Sequence, residues 1–183
     1  MDSADVQSDL EHVLYTKDQI SARVKEMAAE IDRDYQGTQP ILVGVLNGAV
    51  MLMSDLTRAM HSHVTMDWMA VSSYGAGTKS SGVVRILKDL TADILDRHVL
   101  IVEDIVDTGL TLSYLIQNLS SRKPTSIEVA AMFRKPTQMT VDVPVKYVGF
   151  DIPPEFVVGY GLDFAGRYRN LVDVATLASY VYT

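Results

Sequence analysis

Val99-Leu100-Ile101-Val102-Glu103-Asp104-Ile105-Val106-Asp107-Thr108-Gly109-Leu110-Thr111 is the stretch that decides the fold. Its four leading apolar residues make a run too short for a helix, so they read as a strand buried on both faces, as strands of parallel sheets are. An acidic turn follows, and Leu110 to Leu119 continues as a helix. Ligands of open α/β sheets bind at the carboxyl ends of strands. Three carboxylates crowd that end here, and crowded acids are costly unless something meets them. The turn Thr108 to Thr111 sets small residues, two hydroxyls and a glycine at the helix opening, where free amides and the helix dipole favour an anion. No Lys or Arg lies in the turn. Amides and hydroxyls must therefore do the holding, which suits the dianionic end of a sugar phosphate.

The same order of strand, turn and helix occurs upstream. Ile41 to Leu46 is a second buried run, Asn47-Gly48 breaks it, and Ala49 to Met60 reads as a crossover helix. Before it, Thr16 caps a helix with Gln19 reaching back, and Ile20, Val24, Met27 and Ile31 recur at helical spacing. Val64, Met66 and Trp68 alternate with Thr65, Asp67 and Met69, the mark of a strand with unlike faces. Residues 72–82, rich in Ser and Gly, should make a mobile excursion, with Val83 to Leu87 returning as the second arm of a hairpin. Further runs at Ile127 to Phe133 and Val145 to Phe150 complete the rhythm. Together they predict an α/β fold, a mainly parallel sheet with helices on both faces, in a single domain over residues 1–183.

The composition narrows the function. Sixteen basic and 23 acidic residues give a net charge of −7, which repels a nucleic-acid backbone. Bound phosphate must then be gripped locally. The absence of cysteine removes disulfides, thiolate metal sites and a Cys nucleophile. The opening residues carry Asp2, Asp5, Asp9 and Glu11 where a secretion signal would need positive charge. No apolar stretch reaches the length of about 18 residues that a membrane span needs. A soluble cytoplasmic protein is expected. His12, His61, His63 and His98 make no zinc pattern and read as surface or capping residues, and the methionines read as core filler. A Walker A loop is absent. Two residues separate Asp104 from Asp107, which does not fit a haloacid-dehalogenase-type phosphatase, whose two aspartates are separated by one.

The segment from the apolar run through Glu103-Asp104-Ile105-Val106-Asp107-Thr108-Gly109 to Thr111 resembles the phosphoribosyl-pyrophosphate (PRPP) signature of the type I phosphoribosyltransferases. Ser73-Tyr74, Arg134-Lys135-Pro136, Val148 to Pro153 and Phe156 to Asp163 bring the likeness to the bacterial hypoxanthine-guanine branch, over about Leu14 to Val172. The resemblance implies that family's fold, with a small hood built from the first and last segments. It also implies purine salvage, in which ribose 5-phosphate passes from PRPP to N9 of hypoxanthine or guanine, giving IMP or GMP and pyrophosphate. By the same likeness Asp107 is the catalytic residue, handling a proton at purine N7. Glu103 and Asp104 face the ribose hydroxyls and, with Asp163, the Mg2+ shell. Thr108, Gly109, Leu110 and Thr111 cradle the 5-phosphate, while Asn47, Gly48 and Arg169 meet pyrophosphate. Lys135 faces O6 of the base, Phe156 stacks on it, and Val157 reads its edge through the backbone. Ser73 and Tyr74 close over the centre. Asn47 departs from the lysine that many members carry, which removes that charge from the pyrophosphate loop. Relatives also carry a cis peptide in this loop and assemble as homodimers or homotetramers. A regulator of the same fold is the competing reading, but it calls for a basic surface or an added DNA-binding domain. Transfer to adenine, xanthine or a pyrimidine would be the other variant, and Lys135 argues against adenine.

Overall fold

The computed structural model describes residues 1–74 and 83–182. A 3-10 segment, Ser3–Asp9, leads into β1 (Leu10–Tyr15), α1 (Lys17–Asp34), β2 (Ile41–Leu46), α2 (Val50–Ala59), β3 (Thr65–Tyr74) and β4 (Val83–Lys88). Then come β5 (His98–Val106), α3 (Leu110–Ser120), β6 (Ser126–Arg134), β7 (Tyr147–Asp151), β8 (Val157–Val158), β9 (Val174–Leu177) and α4 (Ser179–Tyr182). The larger sheet runs β4-β3-β2-β5-β6-β7. All its neighbours are parallel except β3 and β4, which form the expected antiparallel hairpin.

Helices cover both faces because the central strands are apolar on both. Leu42, Leu100 and Val102 pack with Ile20, Val24, Met27 and Ile31 of α1 and with Leu52, Met53 and Leu56 of α2. Ile41, Val43, Val99 and Ile101 point the other way, onto Leu112, Leu115 and Leu119 of α3. That division follows the period of two along a strand. Burying one such side chain contributes about 1.5–3 kcal/mol, so truncating Ile101 to Ala would cost about 2–5 kcal/mol through lost contact and a cavity. Thr16 caps α1 as expected: its side chain accepts from the Gln19 amide while the Gln19 side chain accepts from the Thr16 amide. No helix among the described residues is long and apolar enough to cross a membrane.

The second sheet, β1-β9-β8, is antiparallel and forms the hood. Its first strand was not read from the sequence, since Leu10–Tyr15 has an irregular pattern and only its pairing with distant β9 makes it a strand. The expected excursion at 72–82 lies largely outside the described residues. What is described is the backbone of Ser73 and Tyr74, paired with Val84 and Val83.

Candidate active site

Pairing with β6 carries β5 past its apolar run, through Ile105 opposite Phe133 and Val106 opposite Arg134. Glu103 and Asp104 therefore sit inside the strand. This corrects the expectation of an acidic turn directly after Val102: the ladder holds the backbone extended until Asp107. Glu103 is buried, and burial, reinforced by the neighbouring Asp104 charge, pushes its carboxyl well above the usual range. Burial likewise pushes Asp104 up to about 6, against the opposing amide of Ile105 and the charge of Arg169. Carboxyls so perturbed at the mouth of a sheet mark a functional site.

The turn beyond them is made of backbone. Gly109 precedes α3 with φ of 82° and has no side chain to cap the helix, and the Thr108 hydroxyl accepts from the Leu110 amide at 3.4 Å. A Cβ at Gly109 would stand 2.7 Å from the Val141 carbonyl, so the turn requires glycine in both conformation and space. The Thr108 carbonyl accepts from the amides of Thr140 at 3.0 Å and Val141 at 3.2 Å, which props the turn from behind. The cavity at this helix mouth, about 100 Å³, is lined by Glu103, Asp107, Thr108, Gly109 and Thr111 among others. First-turn amides of a helix lack internal partners, so the mouth can take an anion.

Two further loops converge here. The Leu46–Asn47 peptide is cis, and Gly48 lies so close to Asp104 that a Cβ would fall 1.5 Å from its Oδ2. A Cβ on Gly161 would in turn meet the Gly48 carbonyl at 2.1 Å. Asp163 and Arg169, flanking that third loop, hold each other at 2.6 Å. The Gly166 amide donates to Asp163 at 2.8 Å and Arg169 donates to the Gly161 carbonyl at 2.6 Å.

Lys135 arrives from the end of β6, its amide donating to the Val106 carbonyl at 2.9 Å. Its side chain is nearly buried, and Nζ lies 3.5 Å from Asp107 Oδ2, whose own side chain is half exposed. A cavity of about 550 Å³ opens beside it, lined by Lys135, Phe156, His12, Glu155, Thr176 and Tyr182 among others. Val157 is buried in β8, in register with Thr176. Asn47 is exposed. Of the residues singled out from the sequence, Glu103, Asp107, Thr108, Gly109 and Thr111 line the cavity at the helix mouth, Lys135 and Phe156 line the larger one, and the Asp107–Lys135 pair joins the two. Sequence reasoning missed the prop at Thr140 and Val141 and the hood side of the pocket. His12, exposed as the sequence reading had it, also lines the pocket, with Nδ1 3.1 Å from the Thr176 hydroxyl. No local pattern announces contacts between such distant segments.

No group of three His, Asp or Glu side chains converges as a metal cage among the described residues. The donors present are separate hard carboxylates, Glu103, Asp104 and Asp163. That fits a cation such as Mg2+, which keeps several waters and completes its shell with substrate phosphates.

Residues 13–165 match the model of the phosphoribosyl transferase domain. The chain belongs to the phosphoribosyltransferase family. It is 52% identical over 180 residues to a hypoxanthine-guanine phosphoribosyltransferase of Mycobacterium bovis, covering 95% of this chain and 89% of that one. With the enzyme of the same name from Bacillus subtilis it shares 47% over 174 residues, covering 95% and 97%. A crystal structure of a hypoxanthine phosphoribosyltransferase from Staphylococcus aureus superposes with a TM-score of 0.94 at 45% identity, over 98% of this chain and 97% of that one. The mainly parallel sheet and hood are thus the type I phosphoribosyltransferase fold. In this phosphoribosyltransferase the signature segment, the loop at Gly48 and the loop from Gly161 to Arg169 face one another at the carboxyl ends of the parallel strands.

Proposed function

We propose that this phosphoribosyltransferase carries out purine salvage, joining ribose 5-phosphate from PRPP to N9 of hypoxanthine or guanine, with IMP or GMP and pyrophosphate as products. The observation that carries the reading is the meeting of Lys135 and Asp107, 3.5 Å apart, at the mouth of an amide-lined turn. A nearly buried ammonium at the base pocket needs an acceptor. A 6-oxo group supplies one, whereas a 6-amino group would oppose donor to donor.

In the reaction the bond between ribose C1 and the pyrophosphate oxygen breaks and a bond from C1 to N9 forms, while the base loses a proton. Asp107, half exposed and beside Lys135, takes that proton at N7. Lys135 polarises the base by holding O6. The amides and hydroxyls from Thr108 to Thr111 hold the 5-phosphate, and Gly48 and Arg169 meet pyrophosphate. Glu103 and Asp104 accept from the ribose hydroxyls and oppose the positive charge that develops on the sugar. Phe156 offers its face to the base, Val157 its backbone. Ser73 and Tyr74 close over the reaction centre and exclude water. Glu103, Asp104 and Asp163 would hold Mg2+, which when bound would neutralise charge on the leaving group. The protein works in the cytoplasm as a homodimer or homotetramer, a state that sedimentation would report.

The test is direct. Protein, Mg2+, PRPP and hypoxanthine are mixed and IMP is followed, and product no greater than with heat-killed protein would overturn the reading. Relative rates with hypoxanthine, guanine, xanthine and adenine then fix the base, with adenine expected to be the poorest.

A further inference from the structure

Phe156 is 43% exposed, yet its ring does not stand alone. Tyr182 stacks on it with centroids 5.6 Å apart and planes 28° from parallel. Phe164, next to Asp163, meets it edge-on at 5.6 Å and 86°. Tyr182 belongs to α4, a single turn that is too short to be stable by itself. Other contacts pin it in place. The Ala178 amide donates to the Asp9 carbonyl at 2.9 Å, and the Tyr180 hydroxyl donates to the Ser8 carbonyl. Asp9 is itself held by the Tyr168 hydroxyl at 2.7 Å. The Leu177 amide donates to the Phe156 carbonyl at 3.2 Å, tying the strand before α4 to the same residue that Tyr182 covers. Tyr182 also lines the pocket that holds Lys135 and Phe156.

We propose that Tyr182 is a positioning residue for base binding, its ring backing Phe156 and fixing the plane on which a purine stacks. The inference rests on the reading of Phe156 as the base platform. An exposed phenylalanine samples several rotamers, and a base that stacks on it must first order it. A ring already set by a neighbour removes that cost and so tightens binding. An aromatic pair is worth enough to change affinity about three- to tenfold. The effect is confined to the base, because the turn that takes the phosphate, Thr108 to Thr111, lines a separate cavity that contains no residue of α4.

Steady-state kinetics of the full chain test this, with the purine and PRPP varied in turn. Tyr182→Ala is expected to raise KM for the purine about three- to tenfold while kcat and KM for PRPP stay within about twofold. Tyr182→Phe should behave as the unmodified protein, since the ring and not the hydroxyl makes the contact. Tyr182→Leu, apolar but not aromatic, should remain impaired. An unchanged purine KM in Tyr182→Ala, an equal loss toward both substrates, or full rescue by Leu overturns the proposal. Its failure is separable from that of the functional reading. An unmodified protein that forms no nucleotide removes that reading, and an active one in which Phe156→Ala leaves the purine KM unchanged removes the platform. If both hold and only Tyr182→Ala is silent, the positioning role alone falls.

Discussion

Asp67 on β3 and Glu103 on β5 are buried to nearly the same degree, 5% and 6% exposed, and the fold treats them in opposite ways. Asp67 accepts from the amides of Trp68, Thr91 and Ala92 at 2.8, 2.7 and 2.8 Å and from the Thr91 hydroxyl at 3.1 Å. Burial alone would push its carboxyl up, but these donors outweigh it and bring it down to about 2. Glu103 has burial and the Asp104 charge against it and the Asp104 amide in its favour, so its carboxyl stands well above the usual range. A buried acid with a full set of donors is part of the scaffold. One without them costs stability and makes sense only if a ligand brings the missing partners. The difference separates the acid that ties the β3–β4 hairpin to the loop before β5 from the acids proposed to face substrate.

Replacing the acids at the end of β5 is the strongest way to break this distinction. Asp107, the half-exposed third member, should lose about 10²–10³ in kcat on change to Ala, because proton transfer is worth that much, with a smaller loss of stability from the ion pair it gives up with Lys135. Retained turnover where chemistry limits the rate would remove its proton role. Glu103→Gln and Asp104→Asn should each lower kcat/KM for PRPP about 10- to 100-fold, the worth of a charged hydrogen bond, while melting temperature holds or rises. Thermal melts beside PRPP titrations decide this. A marked loss of stability in Glu103→Gln would make Glu103 a scaffold acid like Asp67. Lys135→Ala should come next, raising the purine KM about tenfold with smaller change in KM for PRPP.

Much of this was legible in the sequence, for a physical reason. Ile41 to Leu46 and Val99 to Val102 announce buried parallel strands because both faces must be apolar, and Thr16 and Gln19 announce α1 because capping is local chemistry. The turn into α3 was legible because the glycine that opens the helix, Gly109, announces itself within a few residues of the strand end. What could not be read were contacts made at long range. Asp67 looks like any polar residue on a strand's alternate face, and its donors at Thr91 and Ala92 come from a loop with no pattern of its own. β1 is a strand only because β9 comes to meet it, and Tyr182 carries no hint of Phe156. Glu103 and Asp104 were expected in a turn, since the apolar run ends at Val102; pairing with β6 carries the strand on to Val106.

The smallest effect is expected at Asp67, and there it concerns stability and pH rather than turnover. Its folded pKa of about 2 lies below the unfolded value of 3.8, so the carboxylate stabilises the fold fully above pH 4, and that stabilisation is lost as pH falls from about 4 towards 2. The shift corresponds to roughly 2 kcal/mol. Asp67→Asn removes the charge and turns an amide donor toward a ring of donors, so at pH 7 it should destabilise by about that amount. The variant should also lose the steep part of the acid limb between pH 4 and 2. At neutral pH and a temperature where both are folded, kcat should match the unmodified protein, because Asp67 touches scaffold alone. Urea unfolding at pH 7 and at pH 3 measures both quantities. A variant as stable as the parent at pH 7, with an unchanged acid limb, would show that these donors do not stabilise the fold and that Asp67 and Glu103 are alike after all.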